Sequence, residues 1–349
     1  MASTTHNIHE LLDSMQQLGA SDLHLSVGSV PIMRIHGQLT AQSEELLTAE
    51  DTLAAAEMLL TEEQQNHFRA KGEFDFSYSL GNTARYRINI YRQKGSVSIA
   101  IRLITSQIPT VEQLGLPPLL KTLTEKPQGL VLVTGPTGSG KSSTLAAMIG
   151  HINRHQSRHI VTLEDPIEYV HTHGKSLINQ REVGSDTASF ASGIRAALRQ
   201  DPDVLLVGEM RDLETISAAV TAAETGHLVF ATLHTTDAPQ TIDRIIDVFP
   251  AHQQGQIRIQ LAAVLSAVIS QRLLPTLSGR SRVCATEILI NTTAIANLIR
   301  TEKTHQIRSM MQTGRSSGMH TLEMSIRELM QQGQINPAIG KLYLPEVSV

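Results

Sequence analysis

The run Gly135-Pro136-Thr137-Gly138-Ser139-Gly140-Lys141-Ser142 has the spacing G-x-x-x-x-G-K-[ST], which binds nucleotide phosphates when it joins a strand to a helix. Its glycines let backbone N–H groups close around phosphate oxygens with no Cβ in the way. A helix N-terminus behind the loop adds its positive end. Lys141 is expected to reach the β- and γ-phosphates and the Ser142 hydroxyl to ligate Mg²⁺, with Ser143 completing the nucleotide-binding set. The setting is right: Gln128 to Thr134 is an apolar run typical of a buried parallel strand, and Ser143 to Met148 continues as a helix. A glycine-rich turn that only joins two elements is disfavoured by that context.

Three further segments predict strands that end in polar residues: HIVTLED (159–165), DVLLVGE (203–209) and HLVFATLH (227–234). Ligands of an open parallel sheet bind beyond the carboxyl ends of its strands. Glu164, Glu209 and His234 therefore converge on the edge that carries the phosphate loop. One carboxylate can organise Mg²⁺ through water, the other can orient or deprotonate the attacking water, and the imidazole can sense the γ-phosphate. Glu209 is the metal-supporting candidate, and either glutamate could be the base. Helix capping or surface ion pairing is the alternative for each carboxylate. At ~3.3 Å per strand residue His227 stands roughly 23 Å from His234, so the two cannot share one phosphate. His227 is expected at the opposite edge or at a subunit contact.

The elements before this core form a smaller unit. Leu11, Leu12, Met15 and Leu18 keep helical spacing up to Gly19. Leu23, Leu25 and Val27 alternate as a half-buried strand, and 48–70 reads as two short helices. Phe74, Phe76, Tyr78 and Leu80 alternate up to a turn at Gly81-Asn82. Ala84, Tyr86, Ile88 and Ile90 then take one face of a strand, and Arg85, Arg87 and Asn89 the other. A last strand runs from Val97 to Ile104. Arg85 and Arg87 either decorate a solvated sheet face or serve a phosphate, including one in a neighbouring subunit. Ile108-Pro109 through Pro117-Pro118 breaks the pattern as a linker. His171-Thr172-His173 has no carboxylate or cysteine at ligand spacing and reads as surface loop. His151, His155 and His159 suit the solvated end of the phosphate-loop helix.

Composition narrows the rest. The 349 residues are 41% hydrophobic and 18% charged, an ordinary globular mixture with room for two domains. Net charge is −4, and residues 1–110 hold 8 Lys and Arg against 12 Asp and Glu, so no basic domain favours nucleic acid. The single cysteine, Cys284, excludes a disulfide framework and a cysteine-rich zinc module. MASTTHNIHELL lacks a basic segment before an apolar core, so no signal peptide is expected. The longest apolar run, Leu261 to Ile269, falls far short of the ~20 residues that span a bilayer. A cytoplasmic protein is expected.

Longer matches extend beyond the loop. GLVLVTGPTGSGKSSTLAAM (129–148), LEDPIEYVH (163–171), NQREV (179–183), RQDPDVLLVGEMRDLE (199–214) and AAETGHLVFATLHT (222–235) resemble the secretion-superfamily ATPases, and within them the type IV pilus retraction ATPases. The likeness extends to SDLHLSVGSVPIMRIHG, FDFSYSL and RYRIN near the start and QTGRSSGMHTLEMSI near the end. It implies an α/β fold: a PAS-like α+β domain over 1–106, a linker over 107–120, a RecA-like P-loop ATPase core over 121–290 and a helical C-terminal segment over 291–349. It further implies ATP and Mg²⁺, a homo-hexamer, an inner-membrane pilus platform protein and other pilus ATPases as partners, and a place at the cytoplasmic face of the inner membrane. The family's acidic box falls on Glu164, Asp165 and Glu168, its Walker B glutamate on Glu209 and its histidine box on His227 and His234. Arg85, Arg87, Arg92 and Arg102 are the candidates for arginines supplied to the nucleotide. Conjugative, type IVB and type II secretion ATPases are the alternatives; the last usually carry a four-cysteine zinc insertion, which one cysteine and the short Leu274–Val283 connection argue against. Two departures stand out. Ser142-Ser143 replaces Ser-Thr, and the retraction signature AIRNLIRE reads AIANLIRT. Ala296 and Thr301 thus remove an arginine and a glutamate from what spacing suggests is the more polar side of a helix.

Overall fold

Strict alternation builds the first sheet. β1 (Ala20–Leu25), β2 (Ile32–Ile35), β3 (Gln38–Ala41), β4 (Glu73–Leu80), β5 (Ala84–Gln93) and β6 (Ser96–Ile104) pair antiparallel in the order β3-β2-β1-β6-β5-β4. The computed structural model describes residues 7–81, 84–104, 107–279 and 281–344. Tyr86, Ile88 and Ile90 of β5 and Ile99 and Ile101 of β6 are buried in one cluster with Ile8, Leu12 and Met15 of the helix Ile8–Gln17. The two helices expected over 48–70 are Ala49–Leu59 and Glu62–Lys71, each started by a capping box, at Thr48 and Thr61. β2 and β3 are four-residue strands, too short for alternation to announce them. Val27 lies past the end of β1 and is exposed, and Asn82 of the expected turn lies outside the described residues.

One buried polar bond fastens this core. The Tyr86 hydroxyl donates to the Leu12 carbonyl at 2.9 Å, and burial pushes the phenol pKa up to about 12. Tyr86→Phe removes that bond without leaving a buried donor unpaired. It should cost about 1 kcal/mol in denaturant unfolding of the first unit and leave nucleotide affinity unchanged.

The second sheet is of the other kind. β7 (Gly129–Thr134), β8 (His159–Glu164), β9 (Leu177–Glu182), β10 (Val204–Val207), β11 (Leu228–Leu233) and β12 (Leu265–Pro275) are parallel, and β13 (Arg282–Ile290) pairs antiparallel with β12. Their order is β13-β12-β7-β11-β10-β8-β9. Every residue of β7, β10 and β11 is buried, as expected of parallel strands covered on both faces. On one face Val131, Val133 and Ile269 meet Leu145, Met148 and Ile149 of the helix Lys141–His155. On the other, Leu130, Leu132 and Val268 meet the helices Leu213–Glu224, Ala238–Asp247 and Ala251–Val264.

The chain divides into two compact units, Met1–Gln107 with Pro166–Val170, and Ile108–Asp165 with His171–Val349. Two sequence expectations change. Val111, Leu116 and Leu120 of the expected linker are buried in the second unit's core, because prolines break periodicity without removing the apolar anchors between them. The apolar run 261–269 is half helix and half strand, with the change at Val264/Leu265. In the helix Thr293–Arg300, Ala296 is buried beside Ile295 and Ile299 rather than lying on a polar side. Residues 295, 296 and 299 share one face, and Thr301 alone remains exposed past the helix end. Among the described residues no helix is long and apolar enough to cross a membrane.

Candidate nucleotide site

The register of the second sheet aligns its carboxyl ends. Thr134 pairs with Leu233, Ala231 with Val207, and Val207 with Leu163. The residues that follow are Gly135 of the phosphate loop, His234, Gly208-Glu209 and Glu164, so the edge expected from sequence exists. At roughly 4.8 Å per strand, His234 lies ~5 Å, Glu209 ~10 Å and Glu164 ~14 Å laterally from the loop's strand.

The loop itself is built as a cradle. Gly135 has φ 141°, and a Cβ there would meet the Gln271 carbonyl oxygen at 2.5 Å and Ser139 Oγ at 2.6 Å. Only glycine lets the chain turn this close to β12. Lys141 Nζ donates to the carbonyl oxygens of Gly135 and Pro136 at 2.9 and 3.1 Å, which holds the ammonium within the loop. Ser139 Oγ is buried and, among the described residues, has no hydrogen-bond partner. Ser142 and Ser143 occupy the first turn of the helix Lys141–His155. An ammonium, a helix N-terminus, hydroxyls and an orphaned buried oxygen around a glycine turn fit a nucleotide phosphate with its Mg²⁺.

The two glutamates are oriented by different partners. Glu209 Oε1 meets Arg211 Nε at 2.7 Å, and its Oε2 lies 3.5 Å from His234 Nε2. Glu164 Oε1 accepts from the Thr162 hydroxyl at 2.7 Å and the Gln180 amide at 3.2 Å. Gly208 lets these strand ends approach, since a Cβ there would stand 3.1 Å from the Leu163 carbonyl oxygen and 3.3 Å from Glu164 Cα.

Four supporting residues escaped sequence reasoning: Arg211, Thr162, Gln180 and Gln271. Gln271 is 1% exposed and donates to Thr144 Oγ1 at 2.8 Å, fastening the phosphate-loop helix to β12. Its signal is a long amide in a strand, LSAVISQRLLP, that is mostly apolar. It also reaches Cys284 Sγ at 3.3 Å; burial pushes that thiol up to about 12, so Cys284 is a packing residue rather than a nucleophile.

The arginines of the first unit separate. Arg87 grips Asp75, with Nη2 to Oδ2 at 2.7 Å, and Arg102 Nε meets Asp22 Oδ1 at 2.9 Å. Arg34, Asp22, Arg102 and Arg87 stand in register across β2, β1, β6 and β5. Burial works to raise the Asp22 carboxyl pKa, but bonds from Arg102 and Ser21 outweigh it and hold the pKa below its usual value. Arg85 shares the face of Arg87, opposite Ile104. Arg92 does not: it shares the parity of Tyr86 and Ile90, and its guanidinium lies 5.8 Å over the Phe68 ring. Beside it, Leu53, Phe68, Arg69 and Arg92 line a cavity of about 280 Å³ with no phosphate-binding loop. The nucleotide assignment rests on the loop and the strand ends.

The histidines also sort by place. His227 precedes β11, at the amino end, with Nδ1 2.9 Å from the Ala222 carbonyl oxygen. Thr172 and His173 are exposed loop residues as expected, while His171, in the same loop, is half-buried. Burial pushes its imidazole pKa down to about 4, with Arg154 adding to the effect, and its backbone N–H donates to Gln180 Oε1 at 2.7 Å. His173 Nδ1 accepts from the Ile178 N–H at 3.1 Å. Among the described residues no three His, Cys, Asp or Glu side chains are placed to hold a metal. The rings of His151 and His155 meet tilted, 4.3 Å between centroids, and burial lowers the pKa of His151.

Comparison with known proteins shows what the whole chain resembles. The family model described as type II/IV secretion system protein matches residues 2–343. The chain is 48% identical over 342 residues to the type IV pilus retraction ATPase PilT of Pseudomonas aeruginosa, covering 97% of this chain and 99% of that one. It is 50% identical over 311 residues to a twitching motility protein of Neisseria gonorrhoeae, covering 89% and 83%. The crystal structure of the pilus retraction motor PilT with bound ADP superimposes with a TM-score of 0.91 at 48% identity, covering 98% of each chain. An α/β chain with a P-loop, a RecA-like core and that likeness over nearly its whole length belongs to the type II/IV secretion system protein family.

Proposed function

We propose that this chain is an ATP-hydrolysing motor that works as a homo-hexamer and drives retraction of a type IV pilus. The observation that carries the reading is the single sheet edge on which the phosphate loop, His234, Glu209 and Glu164 follow four aligned strands. Lys141 and the loop amides bind the phosphates. Ser142, and Glu209 through water, would hold Mg²⁺, which supplies charge neutralisation on the phosphate oxygens when bound. Glu209 and Glu164 divide metal support and water activation between them, each aimed by its own donors. His234, against Glu209, stands where a change at the terminal phosphate alters the carboxylate's position.

Arg85 and Arg87 complete the site of a neighbouring copy in this reading, at the expense of the Arg87–Asp75 pair. The motor acts at the cytoplasmic face of the inner membrane on a platform protein, with other pilus ATPases as further partners and without nucleic acid. The purified chain should hydrolyse ATP, lose activity when EDTA removes divalent cations, regain it on adding Mg²⁺, and restore twitching to a retraction-deficient strain. Turnover indifferent to EDTA would remove the metal-assisted scheme. Full turnover without restored twitching would move the output to a related secretion system.

A further inference from the structure

Glu287, in the middle of β13, is a carboxylate that the scheme above does not use. It is 6% exposed, and its two oxygens serve two different helices. Oε1 accepts from the Ala238 N–H at 2.8 Å, at the start of the helix Ala238–Asp247. Oε2 accepts from the Leu322 N–H at 3.4 Å, at the start of the helix Leu322–Gln331. Both helices already have caps of their own, Asp237 on the Gln240 N–H and Thr321 on the Met324 N–H. Among the described residues no cation lies within ion-pair distance of Glu287, so two helix N-termini are its compensation. Burial raises its carboxyl pKa, and the two amides work against that. A buried carboxylate is costly beside an apolar residue of similar size, which makes a purely space-filling role a poor account of it.

One of the two helices starts beside the nucleotide edge, and the other belongs to the C-terminal segment. Ala238 follows His234 by four residues, and His234 rests against Glu209. The helix that Ala238 starts puts Ile242, Ile245 and Ile246 into the same apolar cluster as Ile295, Ala296 and Ile299 of the helix bearing the altered signature. It also packs against the turn Thr304–Gln306 that follows. The C-terminal side is held just as firmly: the Thr286 N–H donates to Ser325 Oγ at 3.1 Å, and Ile288 and His320 exchange backbone bonds.

We propose that Glu287 is a positioning residue which makes the His234 segment and the C-terminal helices move as one piece, carrying the state of the Glu209–His234 contact to the helices Thr293–Arg300 and Leu322–Gln331. The inference rests on the motor reading and names the linkage inside it. Packed elements with two arrangements pass on small shifts at one end because a close-packed core does not deform continuously.

The test is amide hydrogen exchange on the full chain, with and without a non-hydrolysable ATP analogue and Mg²⁺, in wild type, Glu287→Gln and Glu287→Asp. In wild type the analogue should change exchange at both 238–241 and 322–325 by about fivefold or more, the lower range for coupled sites. Glu287→Gln keeps the volume but sets an NH₂ group against one of the two N–H donors. The response at 238–241 should persist and that at 322–325 should vanish, while kcat falls about tenfold and KM stays within about threefold. Glu287→Asp keeps the charge on a stem too short for both helices and should break the same linkage if the glutamine variant does not fold. An equal response at 322–325 in variant and wild type, none in wild type, or a kcat within about twofold would overturn the proposal. The exchange readout needs only nucleotide binding, so a wild-type chain without turnover would sink the motor reading instead.

Discussion

Lys141→Ala should abolish nucleotide binding and, with it, ATP turnover. The ammonium is the loop's only full positive charge, held inside it by the Gly135 and Pro136 carbonyls. Its removal leaves the phosphates to neutral amides, and affinity for a fluorescent ATP analogue should fall at least ~100-fold, the scale of several charge-assisted hydrogen bonds lost together. The two carbonyls are left at a half-open loop where water can replace the lysine, so the melting temperature should move by only a few degrees. Binding within tenfold of wild type would show that the loop grips phosphate without its cation and would undo the assignment.

Glu209→Gln should separate binding from chemistry. The carboxamide keeps the side chain's shape and can still accept from Arg211, whose Nε lies 2.7 Å from Oε1. It carries no charge to support Mg²⁺ and no basic oxygen for the attacking water. ATP affinity should stay within about threefold, while turnover drops at least ~100-fold, the range for loss of a positioned acid–base or metal-supporting group. Single-turnover hydrolysis measured beside nucleotide binding decides it. Near-normal turnover would transfer the role to Glu164, whose Thr162 and Gln180 contacts keep it oriented at the same edge.

The sequence by itself determined the phosphate loop, the strands leading to it, and the arrival of Glu164, Glu209 and His234 at one edge. Those features are local. A contiguous motif carries its own backbone geometry, and a buried parallel strand followed by a polar residue already says which end of the strand faces the ligand. Arg85 and Arg87 were legible as a pair for the same reason, since a period of two needs no partner strand.

The tertiary structure alone decided what depends on register between segments far apart in the chain. Asp75 takes Arg87 because β4 lies beside β5 with Ser77 opposite Arg87. Arg92 leaves the arginine face because parity continues to the end of β5, where the Phe68 ring waits. A helical stripe shows which residues share a face but not how far the core covers it, which is why Ala296 turns out to be buried with Ile295 and Ile299. Gln271 and Glu287 have no signal of their own beyond a polar residue in a mostly apolar strand. Each acquires a role only when β12 and β13 carry it to a helix start 127 or 49 residues away in the chain, and when burial obliges every amide and carboxylate there to find a partner.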